Sequence, residues 1–191
     1  MGQYYTPIIK RENETWKGFY SHYYDHNGLK IMEHSYIGNT FTETVVKQLL
    51  EKPGYLAWVG DYAEIGDVKS DSASEFIEKE RKYGNGLKYS KPKKINLMEN
   101  SLMLIIFNHT KKEYINMFDY CNKQTPDECG CIIHPLPLLT AIGNGKGGGD
   151  YYSDVCEDMV GYWACDLIEA GWFSDSTKDY KDITEQVLFK E

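Results

Sequence analysis

The stretch Gly143–Tyr152, GNGKGGGDYY, constrains this chain more than any other, because five of its ten residues are glycine. Glycine costs chain entropy and packs nothing, so a glycine run needs a local reason. One reason is a backbone that must come close to a ligand, its free N–H groups forming a concavity for an anion. The alternative is a flexible surface loop. The run follows an apolar stretch, Cys131–Ile142, CIIHPLPLLTAI, and closes on an aspartate and two tyrosines.

The segments before it alternate between strand-like and helical patterns. Gln3–Lys10 reads as a strand, Asn13 and Glu14 as a turn, and Lys17–Tyr24 as a second, aromatic strand. Asp25–Gly28 ends in Asn-Gly, a hairpin signal, which makes Leu29–His34 a third strand of an antiparallel meander. From Thr40, with Asn39 or Thr40 as cap and Glu43 at capping-box spacing, Phe41, Val45, Val46, Leu49 and Leu50 recur at helical spacing until Pro53-Gly54. Tyr55–Tyr62 is a fourth strand, Ser70–Tyr83 a second helix and Gly84–Glu99 a loop. Leu102–Phe107, LMLIIF, reads as a central strand, with Glu113–Phe118 returning as a hairpin and Cys121–Gly130 as an irregular loop. The prolines of Cys131–Ile142 suggest an edge or irregular segment. Val160–Ile168 reads as a late strand and Ile183–Phe189 as an edge strand. The expected class is α+β: one globular domain over residues 1–191, a mostly antiparallel sheet with two helices packed on it.

Composition narrows function by exclusion. A net charge of −8 argues against direct nucleic-acid binding, which needs a field of lysine and arginine. It suits a basic protein partner. The basic cluster Lys88–Lys94 reads as a solvated linker. No apolar run reaches the ~18 residues of a membrane span, and MGQYYT lacks the regions of a signal peptide. Gly2 and Thr6 fit the loose myristoylation pattern, but Tyr4 and Tyr5 look like a strand start. Five cysteines, an odd number, in a chain expected to be cytoplasmic argue for free thiols. Sixteen tyrosines suit strands and binding surfaces, and tyrosine-rich strands could equally form a homodimer face.

The segments MGQYY, LKIMEHSYIGN, WVGDYAE and HPLPLLTAIGNGKGGGDYY together carry a resemblance. The chain resembles a family of small accessory proteins from bacteriophages, prophages and other mobile elements of gut and related bacteria. Its members begin with MGQYY and carry EHS-x-x-GN, GDYA and PLPLLTA segments running into a GGGDY loop. The resemblance covers nearly the whole chain. It implies origin rather than chemistry: accessory phage genes often encode proteins that blunt host defence, and the expected location is the cytoplasm of a host bacterial cell. The segment Cys121–His134 departs from the family pattern, so any metal there is specific to this chain.

Candidate sites follow from residue chemistry. In the glycine loop, the amides of Gly145, Gly147 and Gly148 with Lys146 could hold phosphate, and Tyr151 or Tyr152 could stack on a base beside Asp150. The loop is not a Walker motif, since Gly147 stands where a Ser or Thr is needed. GNGKGG fits a dinucleotide fingerprint in letters, but no βαβ unit surrounds it. Glu33-His34-Ser35 precedes a helix N-terminus, so His34 could be a general base or ligand contact, or else bond a backbone carbonyl. Asn39 is a cap or a binding group. Asp61 and Glu64 could act as paired carboxylates or hold turn amides. Asn108-His109 reads as a solvated turn. Cys121, Cys129, Cys131 and His134 form a chemically valid zinc set, C-x7-C-x-C-x2-H, without the usual C-x2-C knuckle. Cys156 and Cys165 read as small buried hydrophobes.

The expected function is counter-defence by stoichiometric binding, with no cofactor and no bound metal. The expected partner is a nucleotide-like phosphorylated ligand, held by the glycine loop, Lys146, the Glu33–Ser35 corner and tyrosines from the first strands, with Asn39 and Asp61 as further binding candidates. The alternatives are an anti-CRISPR-type inhibitor of a host defence protein, such as a nuclease or effector complex, and a small hydrolase using His34, Asp61 and Glu64.

Overall fold

A computed structural model describes residues 1–24, 27–64, 67, 104–152, 157–172 and 175–188. The predicted helix Ser70–Tyr83, the loop Gly84–Glu99, the basic cluster Lys88–Lys94, Cys156 and half of the Asp25–Gly28 turn lie outside these residues. The strands are β1 (Tyr5–Lys10), β2 (Lys17–Gly18), β3 (Gly54–Gly60), β4 (Leu104–Asn108), β5 (Glu113–Asn116), β6 (Ala141–Ile142), β7 (Leu167–Trp172) and β8 (Lys181–Asp182). They form one sheet of order β2-β1-β3-β7-β4-β5-β8, with β6 beside β3. All pairings are antiparallel except β3 with β6 and β5 with β8. The class is α+β, with a mostly antiparallel sheet.

The four α-helices among the described residues are α1 (Ile31–His34), α2 (Thr40–Glu51), α3 (Met117–Lys123) and α4 (Pro135–Thr140). In α2 the Asn39 side chain accepts from the amides of Phe41 and Thr42, at 2.9 and 3.3 Å, and so supplies the N-cap. Its residues Phe41, Val45, Val46 and Leu49 are buried against Leu56, Trp58, Ile106, Ile168 and Ala170 of the sheet. Each such side chain contributes about 1.5–3 kcal/mol of transfer free energy.

Several expected strands take other forms. The aromatic segment Lys17–Tyr24 pairs for two residues and then turns into a 3-10 helix at Ser21–Tyr23. Leu29–His34 is no third strand: Lys30 is extended and Ile31–His34 is α1, so the meander reduces to the β1–β2 pair. Cys121 belongs to α3, capped by the Asn116 side chain, rather than to a loop. The Cys131–Ile142 segment contains α4, because its prolines sit where a helix tolerates them. Pro135 is the first helical residue and Pro137 the third, positions whose N–H groups have no intrahelical acceptor. His134 caps α4 by accepting from the Leu136 amide at 3.1 Å. The late strand starts seven residues after the expected Val160, at Leu167, behind a turn in which Cys165 takes a left-handed φ of 66°. The tail offers the two-residue β8 and a 3-10 turn at Thr184–Val187 instead of a full edge strand.

Candidate functional site

The glycine loop has an anion in its concavity, and that anion belongs to the chain. Asp150, 1% exposed, accepts through Oδ2 from the amides of Gly145, Lys146 and Gly147 at 2.8, 3.0 and 3.0 Å. The Gln3 Nε2 amine donates to the same oxygen at 2.8 Å. Gly145 needs its freedom because φ is +87°, in the left-handed region. Gly147 needs it because a Cβ would stand 2.8 Å from the Gln3 backbone nitrogen. Gly148 bridges Gly2 and accepts from the Gln3 amide at 3.1 Å. The run is therefore shaped to let the N-terminal segment approach and to wrap Asp150. Asn144 completes the wrap by bonding both backbone groups of Tyr151. Tyr151 is buried, so it offers no stacking face, whereas Tyr152 is exposed. The Lys146 ammonium turns outward to Asp67 at 2.6 Å and Glu64 at 3.7 Å. These contacts, with the Asp67 hydrogen bond first, raise its pKa.

The Glu33–Ser35 corner lies against this loop, since the Met32 amide donates to the Gly149 carbonyl at 3.2 Å. His34 and Ser35 are buried there, whereas Glu33 is exposed. Glu33 accepts from the Lys30 amide at 3.0 Å, closing the first turn of α1. His34 is fully buried between Phe41 and Trp58. Its Nε2 accepts from the Trp58 indole N–H at 2.9 Å. An indole only donates, so the ring proton sits on Nδ1, which donates to the Gly28 carbonyl at 3.0 Å. Burial lowers the His34 pKa to about 4. The imidazole is a neutral core group without access to a substrate proton. Ser35 is buried and accepts through its carbonyl from the His134 amide at 2.7 Å. Asp61 caps the end of β1, accepting from the Tyr4 amide at 2.9 Å. Of the expected constellation, then, the loop, Asp150 and the Glu33–Ser35 corner do meet. They meet as a packed internal network, with Lys146, Asn39 and Asp61 directed elsewhere.

The cysteine segment is equally committed. His134 is buried with Nδ1 on the Leu136 amide, and burial lowers its pKa to about 3. The amides of Cys129 and Cys131 both donate to Asp127 Oδ1. Burial pushes the Cys121 thiol up to about 11. Among the described residues no three His, Cys, Asp or Glu side chains are placed to hold a metal ion.

An open polar site lies at the other end of the sheet. β3 begins at Gly54, opposite Ile168, so Glu169–Trp172 of β7 have no strand on that flank among the described residues. Beside this notch is a groove of about 450 Å³ lined by Leu50, Phe107, His109, Glu169, Ala170, Gly171, Trp172 and Tyr180. The pleat decides who enters it. Ile105, Phe107 and His109 share one face of the β4 line, and Phe107 pairs with Glu169 across to β7. His109 and Glu169 are thus diagonal neighbours on that face. Gly171 keeps the floor low, since a Cβ there would press to 3.3 Å on the Phe107 ring.

His109 is held at both nitrogens. Nε2 lies 2.6 Å from Glu169 Oε2, and Nδ1 lies 2.7 Å from the Tyr180 hydroxyl. A carboxylate only accepts, so Nε2 carries the proton of the neutral ring and Nδ1 accepts from Tyr180. Phe107 stacks on His109 with ring centroids 6.2 Å apart, and Tyr180 meets Phe107 edge-on at 5.5 Å. Lys112 stands over the Tyr180 ring at 5.0 Å, with Nζ 3.3 Å from its hydroxyl. From the sequence His109 reads only as a solvated turn residue. Its partners are 60 and 71 positions away, beyond any local pattern. The legible signal was the alternation Ile105, Phe107, His109, which carries a polar residue onto an aromatic strand face. No known protein family, curated protein or solved structure matches the chain.

Proposed function

We propose that the chain binds a nucleotide-like phosphorylated ligand stoichiometrically, and that the groove beside β7 is where it does so. The observation that carries this is the groove itself. Its volume, about 450 Å³, is in the range of small-molecule sites, and it joins aromatic walls to a few convergent polar groups. Trp172 is half exposed and offers a stacking face. Lys112, beside the groove and over the Tyr180 ring, supplies positive charge for phosphate at the other side. The glycine loop, by contrast, already satisfies its amides with Asp150. In the setting implied by the family resemblance, such a protein would blunt a host defence that signals through nucleotides. A second reading, inhibition of a host nuclease or effector complex, is favoured by the net charge of −8. Binding to a basic channel would weaken sharply with ionic strength.

Isothermal titration with mono-, di- and cyclic nucleotides tests the first reading. At least one should bind with Kd under about 1 mM, and Trp172→Ala should weaken it by about 5- to 150-fold, the equivalent of ~1–3 kcal/mol of stacking. No binding across the panel, or an affinity that Trp172→Ala leaves unaltered, removes the groove from consideration.

A further inference from the structure

The hydrogen-bond chain in the groove has a direction that simple binding does not require. Glu169 orients the His109 ring through Nε2–H, and this leaves Nδ1 as an acceptor aimed at the Tyr180 hydroxyl at 2.7 Å. A carboxylate, an imidazole and a hydroxyl in that order form the base-and-orienter arrangement that activates a nucleophile. Lys112 places its ammonium 3.3 Å from the same hydroxyl. The groups also face a groove, unlike the packed His34 and His134.

We propose that Tyr180 is a nucleophile for phosphodiester cleavage, with His109 as its base and Glu169 as a positioning residue. The proposal rests on the groove being the phosphoryl-ligand site, and it adds turnover to binding. In the first step the Tyr180 oxygen attacks phosphorus while its proton passes to His109 Nδ1. The bond from phosphorus to the departing oxygen breaks, and Nδ1–H protonates that oxygen as it leaves. In the second step water attacks the tyrosyl phosphodiester and gives its proton to Nδ1. The phenolate departs, steadied by Lys112, and regains that proton. The sum is a phosphodiester plus water giving a phosphomonoester and an alcohol.

Bis(p-nitrophenyl) phosphate is the probe. Wild-type protein should release p-nitrophenol in a burst approaching one equivalent. After an acid quench, peptide mass spectrometry should place a nitrophenyl phosphate on the peptide carrying Tyr180. His109→Gln should slow the burst by at least about 100-fold, the range for loss of a general base. Tyr180→Phe should abolish both burst and label. Glu169→Gln should displace the pH profile of the burst, which a purely structural contact would not do. Wild-type release no faster than buffer, or a label on any residue other than Tyr180, overturns the proposal. The labelling result on wild-type protein decides this even where a variant fails to fold. Nucleotide titration of the same preparation separates the two claims. Binding without burst overturns the nucleophile and keeps the binding reading, whereas a Tyr180 label without nucleotide affinity does the reverse.

Discussion

Removing the Asp150 carboxylate should destabilise the fold and create an anion site where none is open. Oδ2 accepts from three loop amides and from Gln3 Nε2, all within 3.0 Å. A hydrogen bond to a charged group contributes about 1.5–3 kcal/mol, so four summed naively give ~6–12 kcal/mol. That sum overstates the loss, because Gly145 and Lys146 are exposed and their amides can turn to water. Gln3 is fully buried, but its Nε2 amide keeps the Tyr5 hydroxyl and the Gly143 carbonyl as acceptors, each at 2.7 Å. We expect Asp150→Ala to cost about 3–4 kcal/mol, a sizeable part of a typical ~5–15 kcal/mol total. With a urea m-value of ~2 kcal/mol/M, the midpoint should fall by about 1.5–2 M. The emptied nest should then accept sulfate. If its Kd is about 1 mM, 100 mM sulfate would return ~2.7 kcal/mol to the variant, while the wild type shows only the general salt effect. Urea melts of both proteins, in sodium sulfate and in sodium chloride at matched ionic strength, measure the difference. A variant within about 0.5 kcal/mol of wild type would refute the account of the loop. So would equal stabilisation of both proteins by sulfate.

Acid should unfold the protein through two histidines. His34 and His134 have pKa values lowered by burial to about 4 and about 3, against 6.5 for an ordinary histidine. Between pH 6.5 and 4 the unfolded chain binds more protons than the folded one, so stability falls as pH falls. The pair should remove about 3 kcal/mol between pH 6.5 and 5, and His34→Gln should halve that slope in urea melts at stepped pH. A flat profile over this interval would contradict the neutral buried assignment. Lys146→Ala should leave both the melting temperature and any nucleotide affinity near wild type, because its ammonium pairs at the surface with Asp67 and Glu64. A tenfold affinity loss in calorimetry would move the phosphate site back to the glycine loop.

What the sequence made legible was local. The Asn39 cap and the apolar face of α2 are written within twelve residues, and the helix begins at Thr40 as its spacing requires. LMLIIF is the most apolar run in the chain, and its described part, Leu104–Phe107, lies in β4 between β7 and β5. Sequence pattern and structure part where one residue type serves two structures. Pro135 and Pro137 break most elements but start a helix when they fall in its first turn. Leu29–His34 alternates well enough for a strand, yet Glu33 closes a helical turn by bonding the Lys30 amide. The site was less legible than the fold. A glycine-rich loop that wraps a carboxylate has the same local letters whether that carboxylate comes from a ligand or from Asp150, three positions beyond Gly147.

The two polar centres differ in what remains for a partner, and this contrast is what supports the groove as the proposed binding site. In the glycine loop the acceptor is buried, its four donors come from the same chain, and the adjoining histidine is neutral and closed off. Such a network gives rigidity, because each donor and acceptor fixes the next. In the groove the side chains of His109 and Glu169 remain 25% and 37% exposed while making bonds of 2.6 and 2.7 Å. They are oriented without being sealed. Orientation before a ligand arrives reduces the entropy that binding must overcome, and it also keeps a base aligned with its hydroxyl. A ligand that displaces water from this groove would strengthen each of those bonds, because its arrival lowers the local dielectric around charges already in place. Asp150 Oδ2 has little of the kind to gain, since four donors of the fold already surround it.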